Sequence, residues 1–218
     1  MRRRLVTLFA DIAGSTRLVM HHDPEKVLGA FRCFSELVSE IALARRGHVK
    51  DFEGDGVLLY FDSAVDAAEA ALATRAALDR GQCDSGCGGG PGVPARLALT
   101  VGEIAIGLVG PPLHRAVALV GPSINLGARL LKAVPPGGIA ASAELVATLE
   151  VEAFSLAQRF KLVDPAYEVP GAAGLRIAVY ALADDWQSDD LATAGRPAQL
   201  RAASVNSDLA GGVSACRA

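Results

Sequence analysis

The order of the hydrophobic patterns predicts a mixed α/β (α+β) domain of ferredoxin-like character, with helices packed on a central, mostly antiparallel sheet. Three observations lead to this fold class. The apolar run at residues 5–10 has the length of a buried strand. A helical period of apolar residues follows it up to about Arg46. A second apolar run at 57–61 is placed to pair with 49–52 as a hairpin, and a further helical segment spans 64–78.

Turn and cap residues mark the ends of these first elements. Gly14-Ser15-Thr16 predicts a helix start, because Ser and Thr side chains cap exposed backbone amides. The helical region after it is expected to break near His22-Asp23-Pro24 and to close at Gly47. Glu53-Gly54-Asp55-Gly56 has the composition of a hairpin turn.

The second half of the chain alternates short strands and helices. Pro135-Pro136-Gly137-Gly138 should stop a helix that begins at Gly121-Pro122-Ser123 and runs through Ala133. The strands are expected at 96–100 and 103–109 (joined near Gly102), 114–120, 139–140, 160–163 and 175–182, with a short helix at 143–149.

Two segments lack a periodic pattern. Residues 81–94 are Gly-rich and predict a flexible insertion or lid. Residues 184–218 are rich in Ala, Ser, Asp and Gly, which predicts a disordered tail after a single domain at 1–183.

Composition excludes several classes of function. The net charge of −3 gives no broad basic surface for nucleic acid, so no nucleic-acid partner is expected. No apolar stretch approaches the roughly 20 residues that span a bilayer, so no membrane segment is expected. The 4 cysteines form no disulfide framework or zinc spacing, and a cytoplasmic location is expected.

Two aspartates are the strongest candidates for chemistry. Asp11 ends the first apolar run, and Asp55 lies between two glycines at the start of another. Carboxylates at strand ends beside tight turns are suited to divalent cations, and two on strands that can pair predict a two-metal site for phosphate chemistry. Taken singly, each also fits a helix cap or a turn residue.

Three blocks of sequence resemble the class III nucleotide cyclases, the adenylyl and guanylyl cyclase family, in its bacterial form. They are 8–16, which ends in Gly-Ser-Thr, 47–61 around Gly-Asp-Gly, and 120–130, which includes Asn-Leu-Gly-Ala-Arg. A weaker block at 101–110 is similar to the strand pair before that last helix. Together the blocks follow the family's order over residues 5–182.

The resemblance implies a reaction and an assembly. The 3′-hydroxyl of a nucleoside triphosphate, with ATP as the expected substrate, attacks the α-phosphate and pyrophosphate leaves. Two Mg²⁺ or Mn²⁺ ions per site would be held by Asp11, Asp55 and the backbone carbonyl of Ile12. Asn125 would orient the ribose, and Arg129 would stabilise charge on the α-phosphate. The resemblance also implies a head-to-tail homodimer with active sites at the subunit interface.

Further residues are implicated in phosphate binding. Gly14, Ser15 and Thr16 would offer backbone amides to phosphate at a helix start, although simple capping describes the same geometry. Arg96 falls where the family places an arginine that touches the phosphates, and a surface arginine at a strand start is the alternative.

The chain departs from the family at both base-recognition positions. Lys or Glu is usual at the first, where this chain has Asp51. Lys50 is one residue away and points to the other face of a regular strand, so it substitutes only if a bulge shifts the register. Asp, Thr or Cys is usual at the second, where this chain has Ala118. GTP and the pyrimidine triphosphates (giving cyclic CMP or UMP) therefore stay open beside ATP.

The chain also lacks the lysine that would be expected to bind the pyrophosphate leaving group. The family usually has a Lys-Gly pair before its last strand, whereas Val169 to Arg176 contains no lysine. These departures leave a second hypothesis, a catalytically weak nucleotide-sensing domain. A cyclic-dinucleotide synthase is disfavoured because no Gly-Gly-Asp/Glu-Glu-Phe motif occurs.

Overall fold

The computed structural model describes residues 1–83 and 93–183. The predicted disordered tail at 184–218, the centre of the predicted flexible insertion (84–92) and Cys87 within it lie outside the described residues. Among the described residues, no helix combines the length and apolar character needed to cross a bilayer.

Eight strands and six helices follow one another in the described residues. In chain order they are β1 (Arg2–Ile12), α1 (Ser15–His21), α2 (Pro24–Ala44), β2 (His48–Glu53), β3 (Gly56–Phe61), α3 (Ala64–Asp79), β4 (Ala95–Val109), β5 (Ala116–Val120), α4 (Pro122–Leu130), a 3₁₀ turn (Leu131–Ala133), β6 (Ile139–Ser142), α5 (Ala143–Glu152), α6 (Phe154–Ala157), β7 (Phe160–Glu168) and β8 (Arg176–Leu182).

The strands form one sheet in the order β2-β3-β1-β4-β6-β8-β7, and β5 pairs with the distal half of β4. All pairings are antiparallel except β4 with β6. The mixed α/β prediction with a mostly antiparallel sheet is therefore confirmed.

The two faces of the sheet bury different helices. On one face, α2 and α3 pack over β1 and β3, where Phe34, Leu59 and Phe61 are fully buried. On the other face, α4 covers a smaller cluster that includes Phe9, Leu58 and Leu130. Adjacent residues of β1 and β3 thus serve opposite faces, which is the alternation expected of strands buried on both sides.

The predicted break after α1 is confirmed. The Asp23 side chain accepts a hydrogen bond from the Glu25 amide at 2.9 Å, and Pro24 occupies the first turn of α2. The predicted Ser or Thr cap of α1 is wrong, because its cap position is Gly14 at φ 81° with no side-chain cap. Gly supplies this left-handed conformation at no steric cost.

The prediction of two strands joined near Gly102 is also wrong. β4 runs without interruption from Ala95 to Val109. A Cβ at position 102 would lie 2.9 Å from the Ser123 side chain, so Gly102 lets the start of α4 approach the sheet. Glycine in this strand indicates close packing and not a turn.

One helix was not predicted, the four-residue α6. Other differences concern element ends: α4 stops at Leu130 and continues as a 3₁₀ turn, β5 begins at Ala116, and β7 extends to Glu168. These shifts of a few residues are usual at fraying helix and strand ends.

Candidate active site

Strand register brings Asp11 and Asp55 to one place. Asp11 pairs with Gly56 on β3, and the Ile12 amide donates to the Asp55 carbonyl at 3.1 Å. Gly56 has no side chain, and a Cβ there would be 3.6 Å from the Asp11 Oδ1. The end of β1 and the β2–β3 turn are thus locked together, and both carboxylates face a shared cleft.

The pKa of Asp11 is shifted by burial and by the proximity of Asp55. Its pKa is raised from 3.8 to about 6, first by burial, then by the charge of Asp55 and by a hydrogen bond to the Asp55 side chain. The positive charge of Arg96 acts in the opposite direction and lowers this pKa. Two carboxyl groups that compete for one proton form a site that a cation would stabilise.

The cleft has a volume of about 320 Å³ and is lined by positively charged side chains as well as by carboxylates. Its polar lining consists of Asp11, Glu53, Asp55, Arg96 and Lys132. Arg96 pairs with Asp11 across β1 and β4, and its Nε donates to the Val134 carbonyl at 3.0 Å. A fixed arginine next to two carboxylates gives a place where metal-bound phosphate can be held.

Lys132 was not predicted as a site residue. It reaches the cleft because α4 tightens into the 3₁₀ turn over 131–133 before the chain crosses to β6. Neither the apolar period nor a motif in the sequence marks this turn.

The predicted metal and phosphate groups of the β1–α1 junction are less central to the cleft. Ile12 is buried and pairs with Ala95 at the end of β1. Gly14, Ser15 and Thr16 are not among the residues that line the cleft. In the described part of the chain, no group of three or more His, Cys, Asp or Glu side chains is placed to hold a metal.

The predicted catalytic pair lies elsewhere on the chain. Asn125 and Arg129 are on α4, one turn apart, and neither lines the cleft that holds Asp11 and Asp55. Arg129 donates from Nη1 to the carbonyl of Pro170 in the loop between β7 and β8. The chain therefore carries two groups of predicted site residues that its own fold does not bring into one cleft.

The first base-recognition position contains a β-bulge. Val49 pairs with Leu59 and Asp51 with Leu58, so Lys50 is the extra residue on β2. Both Lys50 and Asp51 thus lie opposite Leu58, a residue of the cleft, and the Lys50 Nζ is 3.3 Å from Asp51 Oδ2. The Lys50 side chain is only 15% exposed, whereas Asp51 is 59% exposed. The bulge is the register shift on which a substitution of Lys50 for Asp51 at this position depends.

The second base-recognition position lies on a projecting arm. Ala118 pairs with Gly107 where β5 and the distal half of β4 extend from the sheet. Large apolar side chains are exposed along this arm, which consists of residues 105–120: Leu108 at 64%, Val109 at 54%, Leu113 at 100%, Val117 at 49% and Val120 at 65%.

Sequence relatives cover only part of longer proteins. An uncharacterized protein of Mycobacterium tuberculosis is 30% identical over 156 residues, which is 66% of this chain and 27% of that protein. Adenylate cyclase 1 of Rhizobium meliloti is 25% identical over 136 residues, 59% of this chain and 20% of the relative. The chain thus spans about a quarter of the length of the curated relatives that it matches. No family model matches the chain.

Solved structures match nearly the whole described domain. The adenylyl cyclase CyaB from P. aeruginosa superposes with a TM-score of 0.71 at 24% identity, covering 87% of this chain and 97% of that one. The guanylate cyclase domain of RhGC from Catenaria anguillulae, solved in complex with GTP, gives a TM-score of 0.71 at 18% identity, covering 84% and 97%.

The fold is that of class III adenylyl and guanylyl cyclase catalytic domains. The resemblance indicated by the three sequence blocks is therefore confirmed at the level of the fold. Within that class, the chain is similar to adenylyl and guanylyl cyclases alike.

Proposed function

We propose that this domain is a nucleotide cyclase that converts a nucleoside triphosphate, with ATP as the preferred substrate, to the 3′,5′-cyclic monophosphate and pyrophosphate. The observation that carries the proposal is the convergence of Asp11 and Asp55 beside Arg96 in one cleft of a cyclase fold. A degenerate domain would have no need to keep two repelling carboxylates together.

The cleft fits divalent cations. Asp11 and Asp55 are hard oxygen donors, and the raised pKa of Asp11 means that a cation would relieve an existing repulsion. With two side-chain ligands, the remaining positions would fall to the Ile12 carbonyl, water and substrate phosphate, as is usual for Mg²⁺. Bound Mg²⁺ or Mn²⁺ would supply a lowered pKa for the attacking hydroxyl and charge neutralisation on the triphosphate.

The chain's own groups would then orient and stabilise the reacting phosphate. A bond forms between the 3′-oxygen and the α-phosphorus while the bond to the β-phosphate oxygen breaks, and the hydroxyl proton passes to solvent. Arg96 and Lys132 line the cleft and would hold the phosphates. The first-turn amides of α1 after Gly14, which are not part of the cleft lining, would add donors from outside it. Arg129 would face the charge that develops on the α-phosphate.

A homodimer would complete the site. Asn125 and Arg129 do not line the cleft of their own chain, so a head-to-tail pair would place the partner's Arg129 opposite Asp11 and Asp55. The arm at 105–120 supports self-association, because it exposes several large apolar side chains that an interface would remove from water.

The bulge at Lys50 supports a purine substrate with an acceptor at N1. An ammonium group donates hydrogen bonds only, which matches N1 of adenine, whereas N1 of guanine carries a hydrogen. The partial burial of Lys50 against Asp51 would keep the ammonium at a fixed place.

The test is turnover of the four nucleoside triphosphates. Purified protein is incubated at high concentration with Mg²⁺ or Mn²⁺ and with ATP, GTP, CTP or UTP, and the products are identified by mass. We expect cyclic AMP as the main product. A different single cyclic product would keep the reaction and correct the base.

The second candidate is a nucleotide-sensing domain without turnover. The side chain of Ala118 cannot hydrogen-bond, and the loop at 169–176 lacks a lysine for the leaving group, and both observations favour it. Tight ATP binding by calorimetry together with no product from any triphosphate would support sensing and contradict the cyclase proposal.

A further inference from the structure

We propose that the loop between β7 and β8, residues 169–175, is a positioning element for the Arg129 guanidinium, with Gly171 as the residue that the contact requires. This inference rests on the proposed cyclase function and deepens it. It assigns a role to a loop that contains no lysine.

The loop is held in shape by its own backbone. The Val169 amide donates to the Leu175 carbonyl at 3.0 Å, the Ala172 amide to the Val169 carbonyl at 3.1 Å, and the Leu175 amide to the Ala172 carbonyl at 3.0 Å. Val169 is 2% exposed and anchors the start of the loop in the core. The flanking strands pair up to Glu168 and Arg176. The carbonyl of Pro170 is therefore presented from a fixed frame.

Arg129 donates one hydrogen bond to this carbonyl, which leaves its other N–H groups available to a ligand. Its Nη1 donates to the Pro170 oxygen. A guanidinium has five N–H donors in a rigid plane, so one bond to a neutral acceptor orients the group without neutralising its charge. Four donors are left for an anionic phosphate, whereas a carboxylate partner would have competed with that phosphate.

Gly171 makes room for the guanidinium. A Cβ at position 171 would lie 2.6 Å from Arg129 Nη1 and 3.6 Å from Cζ. Its φ of 73° is in the left-handed region, so the backbone also favours glycine. Any larger residue must displace either the loop or the arginine.

Gly174 provides a matched control in the same loop. It has nearly the same conformation, with φ 78°, but a Cβ there meets nothing within 4 Å. Alanine at either position carries the same backbone strain. Only alanine at 171 touches Arg129.

A held arginine should act on kcat more than on KM. The guanidinium is needed where charge builds up in the transition state, and a displacement of about 1 Å at such a group costs up to roughly 100-fold in rate. Under the proposed function, ground-state binding of the triphosphate would depend mainly on Asp11, Asp55 and Arg96 in the cleft, whose lining does not include Arg129.

The experiment compares Gly171→Ala with Gly174→Ala in the full chain, using the triphosphate that gives product. We expect kcat to fall about 10- to 100-fold for Gly171→Ala and less than about 3-fold for Gly174→Ala, with KM within about 3-fold of wild type in both. Thermal unfolding should show similar shifts for the two variants. The pair Gly171→Asn and Gly174→Asn repeats the comparison with a residue that tolerates positive φ, in case alanine prevents folding.

A mixed dimer tests whether Gly171 acts through Arg129, because Gly171→Ala can be placed on the chain that supplies the arginine or on the other chain. An Asp55→Ala chain mixed with an Arg129→Ala chain leaves one complete site, whose arginine comes from the Asp55→Ala chain. Gly171→Ala on that chain should lower the activity by the factor seen in the homodimer. On the Arg129→Ala chain it should lower activity no more than Gly174→Ala does there.

Three results would overturn the positioning role while leaving the cyclase intact. They are equal kcat values for the two alanine variants, a higher kcat for Gly171→Ala, and equal effects on the two chains of the mixed dimer. A wild-type protein without any turnover would instead contradict the proposed function.

Discussion

The cleft at the end of β1 and the Arg129 side chain on α4 are held in place by different kinds of contact. The cleft is assembled from cross-strand register, and its groups pair closely within one chain: Asp11 with Gly56 and Arg96, and Ile12 with the carbonyl of Asp55. Arg129, in contrast, is held by a loop whose Pro170 lies 41 residues later in the chain, and it is not among the residues that line this cleft. Under the proposed function, the first region would be a cation site formed within one chain, whereas the second would be half of a site that a second chain completes.

The largest expected effect is the loss of activity when either region is mutated, and mixing the two variants tests whether the regions act from different chains. Asp55→Ala should lower activity by at least about 1,000-fold through loss of metal, and Arg129→Ala by about 100- to 1,000-fold. Mixing the two inactive proteins should restore about a quarter of wild-type activity, because half of the dimers are mixed and each has one complete site.

The control mixes Asp11→Ala with Asp55→Ala. Both substitutions damage the same half-site, so no dimer of these chains contains a complete site and no activity should return. Recovery in this control, or none in the first mixture when mixed dimers are detected by mass, would contradict two separate half-sites.

The next effect concerns the base. Lys50→Ala should lower kcat/KM for ATP by about 10- to 100-fold, because the proposed donor to the base, a partly buried ammonium group, would be lost. Asp51→Ala should cost less than Lys50→Ala, since Asp51 is largely exposed and acts through Lys50. Competition between ATP and GTP, read by product mass, measures both changes. A larger effect at Asp51 would show that the acid itself reads the base.

The bulge at Lys50 shows how far sequence alone could reach. Strict alternation along β2 separates Lys50 from the face of Asp51, and only the extra residue in the pairing with β3 brings them together. Such a bulge leaves no period in the sequence. The pair Asp11 and Asp55 was predictable, because Asp11 directly follows one apolar run with a clear end and Asp55 comes just before another.

Glycines and the end of α4 were harder to interpret. Gly102 resembles a turn residue in the sequence, yet it permits contact with Ser123 across the packed face. Lys132 lies on a 3₁₀ turn whose position depends on how the chain leaves α4. In both cases tertiary packing, which no local pattern encodes, decides the role of the residue.

Lys132 offers a smaller test of the cleft. Lys132→Gln should lower kcat/KM by about 3- to 10-fold, because it removes one of the positively charged side chains of the cleft that would hold the triphosphate. Lys161→Gln on β7, which lies outside the cleft, is the charge-matched control and should leave turnover unchanged. If both variants lose activity equally, the general charge of the domain and not the cleft accounts for the effect.

The smallest effect is on stability and reports the cleft without any turnover. The pKa of Asp11 is raised to about 6, so the native state holds this proton more tightly than the unfolded chain does. The resulting stabilisation is complete below about pH 4 and is lost as the pH rises through 6. At pH 7.5 without metal, Asp11→Asn should therefore raise Tm by a few degrees, and the gain should disappear at pH 4.

Adding Mg²⁺ at pH 7.5 should reverse that order. A metal that binds the native cleft would stabilise the wild-type protein by mass action, whereas Asp11→Asn would have lost a ligand. Thermal unfolding at both pH values, with chelator and with Mg²⁺, measures all four conditions. Arg129→Ala should respond to Mg²⁺ as the wild type does, because its lesion lies outside the cleft. A Tm of the wild type that ignores Mg²⁺, with Asp11→Asn equally stable at every pH, would mean that the two carboxylates do not form a cation site.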